Sequence, residues 1–465
     1  MKFGKNPEFN YAKEPSRDIL CIDCKSFYSS VECVERGLNP IKAKLVVMSY
    51  PSDSLTERGS GLILASSPKA KEAYGITNVS RARDLPFPYP DDLVIAPPRM
   101  ALYMRKNMEI NNIYKKYADE ANHHVYSVDE SFIDVTDGLK MYDVSSAYEL
   151  ARLIQLDVHE QMGLYTAIGI GDNPLLAKLA LDNESKHNSD MKAEWRYASV
   201  PKTVWKIASL EEMWGIGRRT AMKLRKMGIK TVDDLAHSNY YQLKEKMGIL
   251  GTQLYAHSWG IDRSFLGQTY QPKSKSIGNS QVLPRDYTQK KQLEVVIKEM
   301  ADQLGTRLRR EGAKAQLVSL WVGFSLGYTD WTGKGGFHQQ VRIPATNTTK
   351  ELVTCLLTIF EKYYKNQDVR NISVNCSDLI YTTSLQLNLF EEPEQQERQI
   401  KTDLVVDTIR HKFGFGSIVH AHSLLEGGRA IARSNLVGGH AGGLAGIEGV
   451  NTHDSQSKTN EKGIS

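Results

Sequence analysis

The chain has 465 residues, which is too long for a single hydrophobic core and predicts three or four domains. That length also excludes a single small binding module. With 41% hydrophobic and 24% charged residues, the composition is typical of a folded globular protein and excludes wholesale disorder. The net charge of +5 is compatible with a polyanionic partner or with none, so the position of the charges must decide.

The sequence contains no segment that is expected to enter a membrane. No run approaches the roughly 20 apolar residues of a transmembrane helix, and residues 1–17 lack the apolar core of a signal peptide. The five cysteines are an odd and sparse set, unlike the framework of a disulfide-stapled secreted protein, so we expect them to be reduced. These features predict a cytoplasmic protein with no membrane partner.

The first half of the chain predicts an α+β domain with an insertion. Asp18–Asp23 forms a short apolar run that ends in a carboxylate, and an amphipathic helix pattern follows it. Residues 45–98 mix short apolar runs with Pro, Gly and Ser, which indicates a small irregular subdomain. Residues 124–136 predict a β-hairpin with acidic residues at its bend. The other predicted elements are a helix over 100–118, a strand over Tyr165–Gly171 and a helix over Asn173–Asn183.

The second half predicts a helical domain, a linker and a basic α/β unit. Residues 207–260 are helical in pattern, and Gln271–Ser276 indicates an extended linker. The order after the linker is strand, helix, strand, strand, helix, strand. Residues 273–350 hold thirteen Lys and Arg against six acidic residues, so the basic character belongs to one segment, as in a nucleic-acid footprint.

Three carboxylates stand out as a candidate metal site. Asp23 ends a predicted strand, and Asp129 with Glu130 lies at the hairpin bend. Carboxylates on adjacent strands repel one another unless cations bind, and hard oxygen ligands suit Mg²⁺. Taken singly, each could be an ordinary surface acid at a strand end, so the wider context must support the site.

Three motifs carry a resemblance to a known family. Cys21–Glu32 (CIDCKSFYSSVE), Ser127–Phe132 (SVDESF) and Gly169–Lys178 (GIGDNPLLAK) resemble successive motifs of the Y-family translesion DNA polymerases. Their order extends the resemblance over about residues 17–425, and the UmuC branch, which includes UvrX-like proteins of Gram-positive hosts and phages, is most similar. The resemblance implies an α+β multidomain right-hand polymerase with palm, fingers, helical thumb with a helix-hairpin-helix element, and α/β little finger.

The resemblance also implies domain boundaries. The expected order is palm, fingers, palm, thumb, linker, little finger and a C-terminal region. The segments are 17–33 and 97–192 (palm), 34–96 (fingers), 193–266 (thumb), 267–277 (linker), 278–384 (little finger), 385–394 (clamp-binding segment), 395–426 (C-terminal helical extension) and 427–465 (flexible tail).

The resemblance assigns roles to the residues of the catalytic site. Asp23, Asp129 and Glu130 would bind two Mg²⁺ ions together with the backbone carbonyl of Cys24. Phe27 and Tyr28 would lie beneath the sugar of the incoming nucleotide, where Tyr28 matches the steric gate, whose ring leaves no room for a 2′-hydroxyl. The alternative for Tyr28 alone is an ordinary packed aromatic residue.

Lysines are expected to bind the triphosphate. Lys186 aligns with a phosphate-contacting lysine of the family, as suits a compact point charge. In the fingers motif either Lys69 or Lys71 is the candidate, with Lys71 preferred, and a solvated surface lysine is the alternative for both.

Two regions are expected to hold duplex DNA. Gly215 and Gly217 with Arg218 and Arg219 resemble a helix-hairpin-helix element, whose glycines and amides suit a DNA phosphate, although a plain helix–helix turn is the alternative. The basic α/β unit matches the little finger in position and pattern, and a charge-based grip there would be independent of sequence. Its candidates are Arg307, Arg309 and Arg310, which could instead complement the helix dipole and face water.

A short peptide after the last predicted strand resembles the bacterial sliding-clamp-binding motif. Gln386, Leu387, Leu389 and Phe390 would anchor an extended segment in an apolar pocket of the clamp. Burial of these residues against the little finger is the alternative.

The predicted function is error-prone addition of deoxynucleotides to a primer opposite damaged template, by two-metal chemistry in DNA repair and SOS mutagenesis. Expected partners are primer–template DNA, deoxynucleoside triphosphates, the sliding clamp, and a recombinase filament or accessory subunits. The alternatives are another two-metal palm-fold nucleotidyl enzyme, such as a nucleotide cyclase, or a catalytically weak DNA-binding accessory factor.

Overall fold

The computed structural model describes residues 6–49, 61–77, 80–268, 272, 274–329, 333–382, 392–434, 436–437 and 440–441. These residues form two compact units, one drawn from Met1–Thr269 with His440–Ser465 and the other from Tyr270–Gly439. Several separate apolar core clusters occur, in agreement with the prediction of more than one domain. Among the described residues, no helix has both the length and the apolar character that crossing a membrane requires.

The first unit alternates strands and helices before it becomes helical. Its strands are β1 (Ile19–Cys24), β2 (Lys44–Met48), β3 (Ile63–Ser66), β4 (Leu93–Ala96), β5 (His123–Val125), β6 (Glu130–Asp134), β7 (Thr166–Gly171) and β8 (Lys192–Trp195). Its α-helices are α1 (Phe27–Val34), α2 (Pro68–Tyr74), α3 (Met100–Tyr114), α4 (Ala147–Met162), α5 (Pro174–Asn183), α6 (Arg218–Lys226), α7 (Val232–Ala236), α8 (Tyr240–Met247) and α9 (Ile249–Ser258). Short 3-10 helices lie at Tyr11–Lys13, Ala82–Asp84, Glu120–Asn122, Leu139–Tyr142, Ser185–His187, Tyr197–Lys202, Val204–Lys206 and Leu210–Glu212.

A five-stranded sheet in the order β5-β6-β1-β7-β8 forms the centre of this unit. Strand β1 pairs antiparallel with both β6 and β7. Leu20 and Ile22 pack in one core cluster and Ile19 and Cys21 in another, so the strand is covered on both faces and its sequence is almost continuously apolar. The predicted hairpin is confirmed, since β5 pairs antiparallel with β6.

Helix α5 packs unusually closely on β7. A Cβ atom added at Gly169 would lie 2.1 Å from the carbonyl oxygen of Ala177, and one added at Gly171 would lie 2.3 Å from the Ala177 nitrogen. Only glycine permits this approach, which brings the end of α5 close to the central strands of the sheet.

The remainder of the first unit contains a small sheet and a helical region. The predicted irregular subdomain contains three paired strands in the order β3-β2-β4, and helices α6 to α9 confirm the predicted helical stretch. The polar N-terminal segment packs on this helical region through its aromatic residues. Phe9 lies 6.0 Å from Tyr255 between ring centroids, and the Tyr11 hydroxyl donates to the Trp259 carbonyl at 3.0 Å. Local sequence pattern alone does not predict this long-range contact.

The second unit has the predicted order of strand, helix, strand, strand, helix, strand. Its strands are β9 (Ile277–Tyr287), β10 (Ala313–Phe324), β11 (Gly336–Thr346), β12 (Val369–Tyr381) and β13 (Leu436–Val437), with β14 (His440–Ala441) following in the chain. Its helices are α10 (Lys290–Arg310), α11 (Thr349–Tyr363), α12 (Pro393–Phe413) and α13 (Ala430–Ser434), with 3-10 helices at Phe415–Ser417 and Ala421–Leu424. The main sheet has the order β11-β10-β12-β9, and α10 and α11 share one apolar core with it.

Helix α12 is held to α10 by buried ion pairs, which corrects one prediction. Arg309 was expected to bind DNA, but its side chain is only 7% exposed. Its guanidinium lies 2.6 Å from Asp407 and 3.2 Å from Asp403, measured between the nitrogen and carboxylate oxygen atoms. Arg410 of α12 pairs in the opposite direction with Asp302 of α10 at 2.7 Å. Arg309 is therefore committed to the fold rather than presented to a ligand.

The start of the expected flexible tail also differs from the prediction. The Arg429 backbone amide donates to the buried carboxylate of Glu299 at 2.8 Å, and the Tyr287 hydroxyl donates to the Gly427 carbonyl at 3.3 Å. Ala430 is buried. A buried carboxylate requires donors, and residues 427–434 pack where they supply one.

Candidate active site

Asp23 and Asp129, two of the three residues predicted for catalysis, line one cavity of about 540 Å³ in the first unit, and the third, Glu130, is paired with Asp23 on the neighbouring strand. Asp23, Asp129, the predicted gate residue Tyr28 and both preferred lysines are brought together, although they come from four separate stretches of sequence. The cavity is lined by Asp23, Cys24, Lys25, Ser26, Phe27, Tyr28, Leu64, Ala65, Ser66, Pro68, Lys71, Asp129, Ala167, Lys186 and His187.

Strand register places the carboxylates next to one another. Asp23 of β1 is paired directly with Glu130 of β6, and the Cys24 amide donates to the Asp129 carbonyl at 2.9 Å. The Ser127 hydroxyl donates to Asp129 Oδ1 at 2.8 Å and accepts from the Glu130 amide at 3.1 Å. This side-chain bridge fixes the bend that carries the two acidic residues.

The site has more negative charge than its surroundings easily accommodate. Burial, together with the neighbouring Asp129 carboxylate, raises the pKa of Asp23 to about 7, although Lys186 acts in the opposite direction. Carboxylates that share a partly buried site disfavour joint ionisation unless a cation compensates them.

Two lysines partly neutralise the negative charge of these carboxylates. Lys186 Nζ lies 3.0 Å from Asp23 Oδ2 and 3.7 Å from Glu130 Oε1, and Lys178 Nζ lies 2.6 Å from Glu130 Oε1. Asp182 joins them, since its carboxylate is 2.9 Å from Lys186 Nζ and 3.0 Å from Lys178 Nζ. Although burial alone would lower it, the Asp23 and Asp182 carboxylates raise the pKa of Lys186.

Lys178 and Asp182 received no role from the sequence, although the charge pattern around them could have indicated that they lie together at the site. Residues 178, 182 and 186 alternate in charge at a spacing of four, which brings side chains together along one side of a helix. Lys178 also ends the GIGDNPLLAK motif, and its side chain is only 7% exposed.

The donor chemistry of this site fits a divalent cation. In the described part of the chain, no three His, Cys, Asp or Glu side chains converge as ligands of one metal ion would. The Asp23 and Glu130 carboxylates instead face ammonium groups, while burial keeps the pKa of Asp23 high. Carboxylate oxygens are the hard donors that Mg²⁺ prefers, so the residue types suit the ion that the family resemblance implies.

The two predicted aromatic residues have different surroundings. Phe27 is 3% exposed and packs mainly in the core, whereas Tyr28 is half-buried, and burial with the Asp129 charge raises the pKa of its hydroxyl. Tyr28 therefore offers its ring to the cavity more fully than Phe27 does.

The choice between Lys69 and Lys71 is clear from their surroundings. Lys69 is exposed and pairs with Glu72 at 3.0 Å, whereas Lys71 lines the cavity. Burial and the nearby Lys25 and Lys186 charges lower the pKa of Lys71, although Asp23 raises it. Three lysines thus approach one side of the cavity, and Lys25 was missed in the sequence although it directly follows Cys24 in the first motif.

A second cavity, of about 680 Å³, is lined by the predicted helix-hairpin-helix turn. His187 lines both cavities. Gly215 has a φ of +92° and Gly217 precedes α6, and no atom lies within 4 Å of a Cβ atom added at either glycine. Arg218 and Arg219 at the start of α6 are exposed. The turn is therefore open to a ligand.

The remaining predicted residues lie in the second unit. Arg307 is exposed and donates to the Gly278 carbonyl at 2.7 Å, and the Arg310 side chain is 70% exposed. Gln386, Leu387, Leu389 and Phe390 lie outside the described residues.

The chain matches three family models. The model described as the impB/mucB/samB family matches residues 22–182, and that of the family's C-terminal domain matches residues 274–389. A model described as the thumb domain of DNA polymerase iota matches residues 211–262. The matched segments contain the candidate cavity except for Lys186 and His187, together with the basic α/β unit and the helix-hairpin-helix turn.

Full-length relatives agree with these models. A Bacillus subtilis strain 168 protein described as the UV-damage repair protein UvrX is 38% identical over 93% of this chain and 99% of its own length. DNA polymerase IV 2 of the same organism is 32% identical over 91% of this chain and 98% of its own length. A solved Y-family DNA polymerase chimera of Dbh and Dpo4 shares the fold, with a TM-score of 0.60, 20% identity and coverage of 78% of this chain and 100% of that one. Since the sequence matches extend over nearly the whole length of both partners, the chain belongs to the Y family of DNA polymerases.

Proposed function

We propose that this DNA polymerase extends a primer opposite damaged template through the cavity lined by Asp23 and Asp129, with Glu130 adjacent to Asp23. The observation that carries the proposal is the convergence of Asp23 and Asp129 with Lys71, Lys186 and a half-buried tyrosine in one cavity, with Glu130 paired to Asp23 on the next strand. In the reaction, the primer 3′-hydroxyl attacks the α-phosphate of a deoxynucleoside triphosphate. A new phosphodiester bond forms, the α–β phosphoanhydride bond breaks, and pyrophosphate leaves.

Asp23, Asp129, Glu130 and the backbone carbonyl of Cys24 would hold two Mg²⁺ ions. When bound, such ions lower the pKa of the attacking hydroxyl and neutralise charge on the triphosphate. The strand register of Asp23 with Glu130 supports this assignment, because it keeps the donors adjacent before any ligand arrives.

The chain's own side chains would orient the nucleotide. Lys71 and Lys186 are the proposed triphosphate contacts, and their approach to one side of the cavity supports this role. Lys25 is a third candidate that lines the same cavity. Tyr28 would exclude the ribose 2′-hydroxyl with its ring, which selects deoxynucleotides by steric exclusion.

Primer extension on undamaged and lesion-containing templates tests the proposed function. We expect extension with Mg²⁺ on both templates and none in the presence of a chelator. An absence of Mg²⁺-dependent extension, with and without a sliding clamp and recombinase filament, would contradict the proposal. We further propose a role in SOS mutagenesis with such a filament or accessory subunits, which the UV-damage repair description of UvrX supports.

The helix-hairpin-helix turn would hold the DNA backbone. Arg307 and Arg310 of the second unit are proposed separately as DNA contacts. Gly217→Ala is expected to leave the thermal unfolding temperature unchanged, because the added methyl group meets no protein atom within 4 Å. The same methyl group would obstruct a phosphate on the turn, so we expect a several-fold weaker affinity for primer–template, of about 1 kcal/mol. Fluorescence anisotropy measures the affinity, and unchanged binding would argue against this turn as a DNA contact.

Residues 386–390 would bind the sliding clamp. Deleting Gln386–Phe390 is expected to abolish binding to the clamp and to leave clamp-independent extension unchanged. Surface plasmon resonance against immobilised clamp measures clamp binding, and a gel assay measures clamp-independent primer extension. Clamp binding that survives the deletion would refute the assignment.

A further inference from the structure

The ring of Tyr28 lies against a second tyrosine. Tyr103, on α3, stacks on Tyr28 with the ring centroids 4.5 Å apart and the ring planes 15° apart. Tyr103 is fully buried, whereas Tyr28 is half-buried and lines the cavity. The gate ring therefore has a solid support on the side where Tyr103 packs.

A buried carboxylate holds Tyr103 in place. The Tyr103 hydroxyl donates to Glu32 Oε1 at 2.7 Å, and Glu32 is fully buried on α1, four residues after Tyr28. Arg99 binds the same carboxylate through two hydrogen bonds, of 2.9 Å to Oε1 and 2.7 Å to Oε2, and Arg36 pairs with it as well. Charge-assisted paired contacts of this kind fix both distance and orientation.

The geometry links this arrangement to sugar selection. Glu32 and Tyr28 occupy the same side of α1, since residues four apart on a helix are neighbours. Tyr103 and Arg99 both come from the start of α3. The Glu32 carboxylate thus sets where the Tyr103 ring lies, and that ring occupies the space into which Tyr28 would otherwise retreat.

We propose that Tyr103, held by Glu32 and Arg99, is a positioning residue that sets how strictly Tyr28 excludes ribonucleotides. The inference rests on the proposed role of Tyr28 as the steric gate. Exclusion of a single hydroxyl group works only if the excluding ring cannot recede, and side chains locked by packing and hydrogen bonds provide that rigidity. Tyr103 itself contacts no substrate in this account and acts through Tyr28.

Single-nucleotide insertion with matched deoxy- and ribonucleoside triphosphates tests the proposal. The measured quantity is kcat/KM for the deoxynucleotide divided by kcat/KM for the ribonucleotide. Tyr28→Ala is expected to lower this ratio by about 100-fold and Tyr103→Leu by about 10-fold, while Tyr103→Phe, which keeps the ring, lowers it by about two- to three-fold. The double variant should match Tyr28→Ala, because Tyr103 acts through the gate.

Tyr117→Phe is the matched control. It also removes a tyrosine hydroxyl that donates to a carboxylate, that of Asp157 at 3.1 Å, but at a different position on the palm. Its ratio should equal that of the unaltered protein. Thermal unfolding of each variant separates loss of fold from loss of selectivity, and if Tyr103→Leu does not fold, Tyr103→Phe decides.

The outcomes distinguish this proposal from the proposed function. An unchanged ratio in the folded Tyr103 variants, or a further loss in the double variant beyond that of Tyr28→Ala, overturns the proposal while Tyr28 remains the gate. An unchanged ratio in Tyr28→Ala overturns the gate assignment and this inference with it. No deoxynucleotide insertion by the unaltered protein overturns the proposed function itself.

Discussion

Asp23→Ala and Asp129→Ala each reduce primer extension by an expected factor of about 10³ or more, which corresponds to about 4 kcal/mol of transition-state stabilisation. The reason is the loss of one of the carboxylates that are proposed to hold the two Mg²⁺ ions. Single-turnover extension at saturating primer–template and nucleotide measures the effect. Primer–template affinity should change little, because the DNA contacts proposed for the thumb and little finger remain.

Asp134→Asn provides the control for these variants. Asp134 lies on β6, the same strand as Glu130, but opposite Ile19 at the far end of β1. Four residues of strand separate it from Glu130 by about 13 Å. We expect near-normal extension from Asp134→Asn. Equal losses in the three variants would indicate a general effect on the sheet rather than a catalytic site.

Arg309→Ala is expected to loosen helix α12 from α10 with a large loss of stability. The substitution leaves Asp403 and Asp407 without the guanidinium that their side chains share at 3.2 and 2.6 Å. Breaking a buried ion pair by removing one partner costs about 3–5 kcal/mol, since the remaining charge is buried without compensation. Amide hydrogen exchange of α12 and urea unfolding of the full chain measure the change.

The neighbouring Arg310 is a matched comparison. Its side chain is 70% exposed, so Arg310→Ala should alter stability by no more than about 0.5 kcal/mol. If the exposed end of α10 that carries Arg310 holds DNA, Arg310→Ala weakens the binding of primer–template and makes the affinity for primer–template less sensitive to salt. Similar stability of the two variants would contradict the role assigned to Arg309.

These two arginines illustrate why some predicted roles could not be decided from the sequence. Both are charged residues at the end of one amphipathic helix, and helical periodicity separates them by only one position. What buries Arg309 is helix α12, which lies about 100 residues later in the chain. Local pattern carries no information about that contact, because the carboxylates that pair with Arg309 are adjacent only after the chain folds.

The carboxylates of the active site were predictable for the opposite reason. A strand that ends in Asp23 and a hairpin that bends at Asp129 and Glu130 are local features with clear apolar patterns. The antiparallel pairing of β1 with β6 then places Asp23 directly opposite Glu130. Motif order added the family, and with it the roles assigned to each residue.

By itself, the sequence determined the order of elements and the family, and it predicted the carboxylate site and the gate role of Tyr28, since each depends on local periodicity or on contiguous motifs. Tertiary structure alone decided that Lys71 lines the cavity while Lys69 pairs with Glu72, and it decided the burial of Arg309, the lysine partners of Glu130 and the stacking of Tyr28 on Tyr103. These features depend on which distant segments meet, and that is settled by packing and by the need of buried charges for partners rather than by neighbours in sequence.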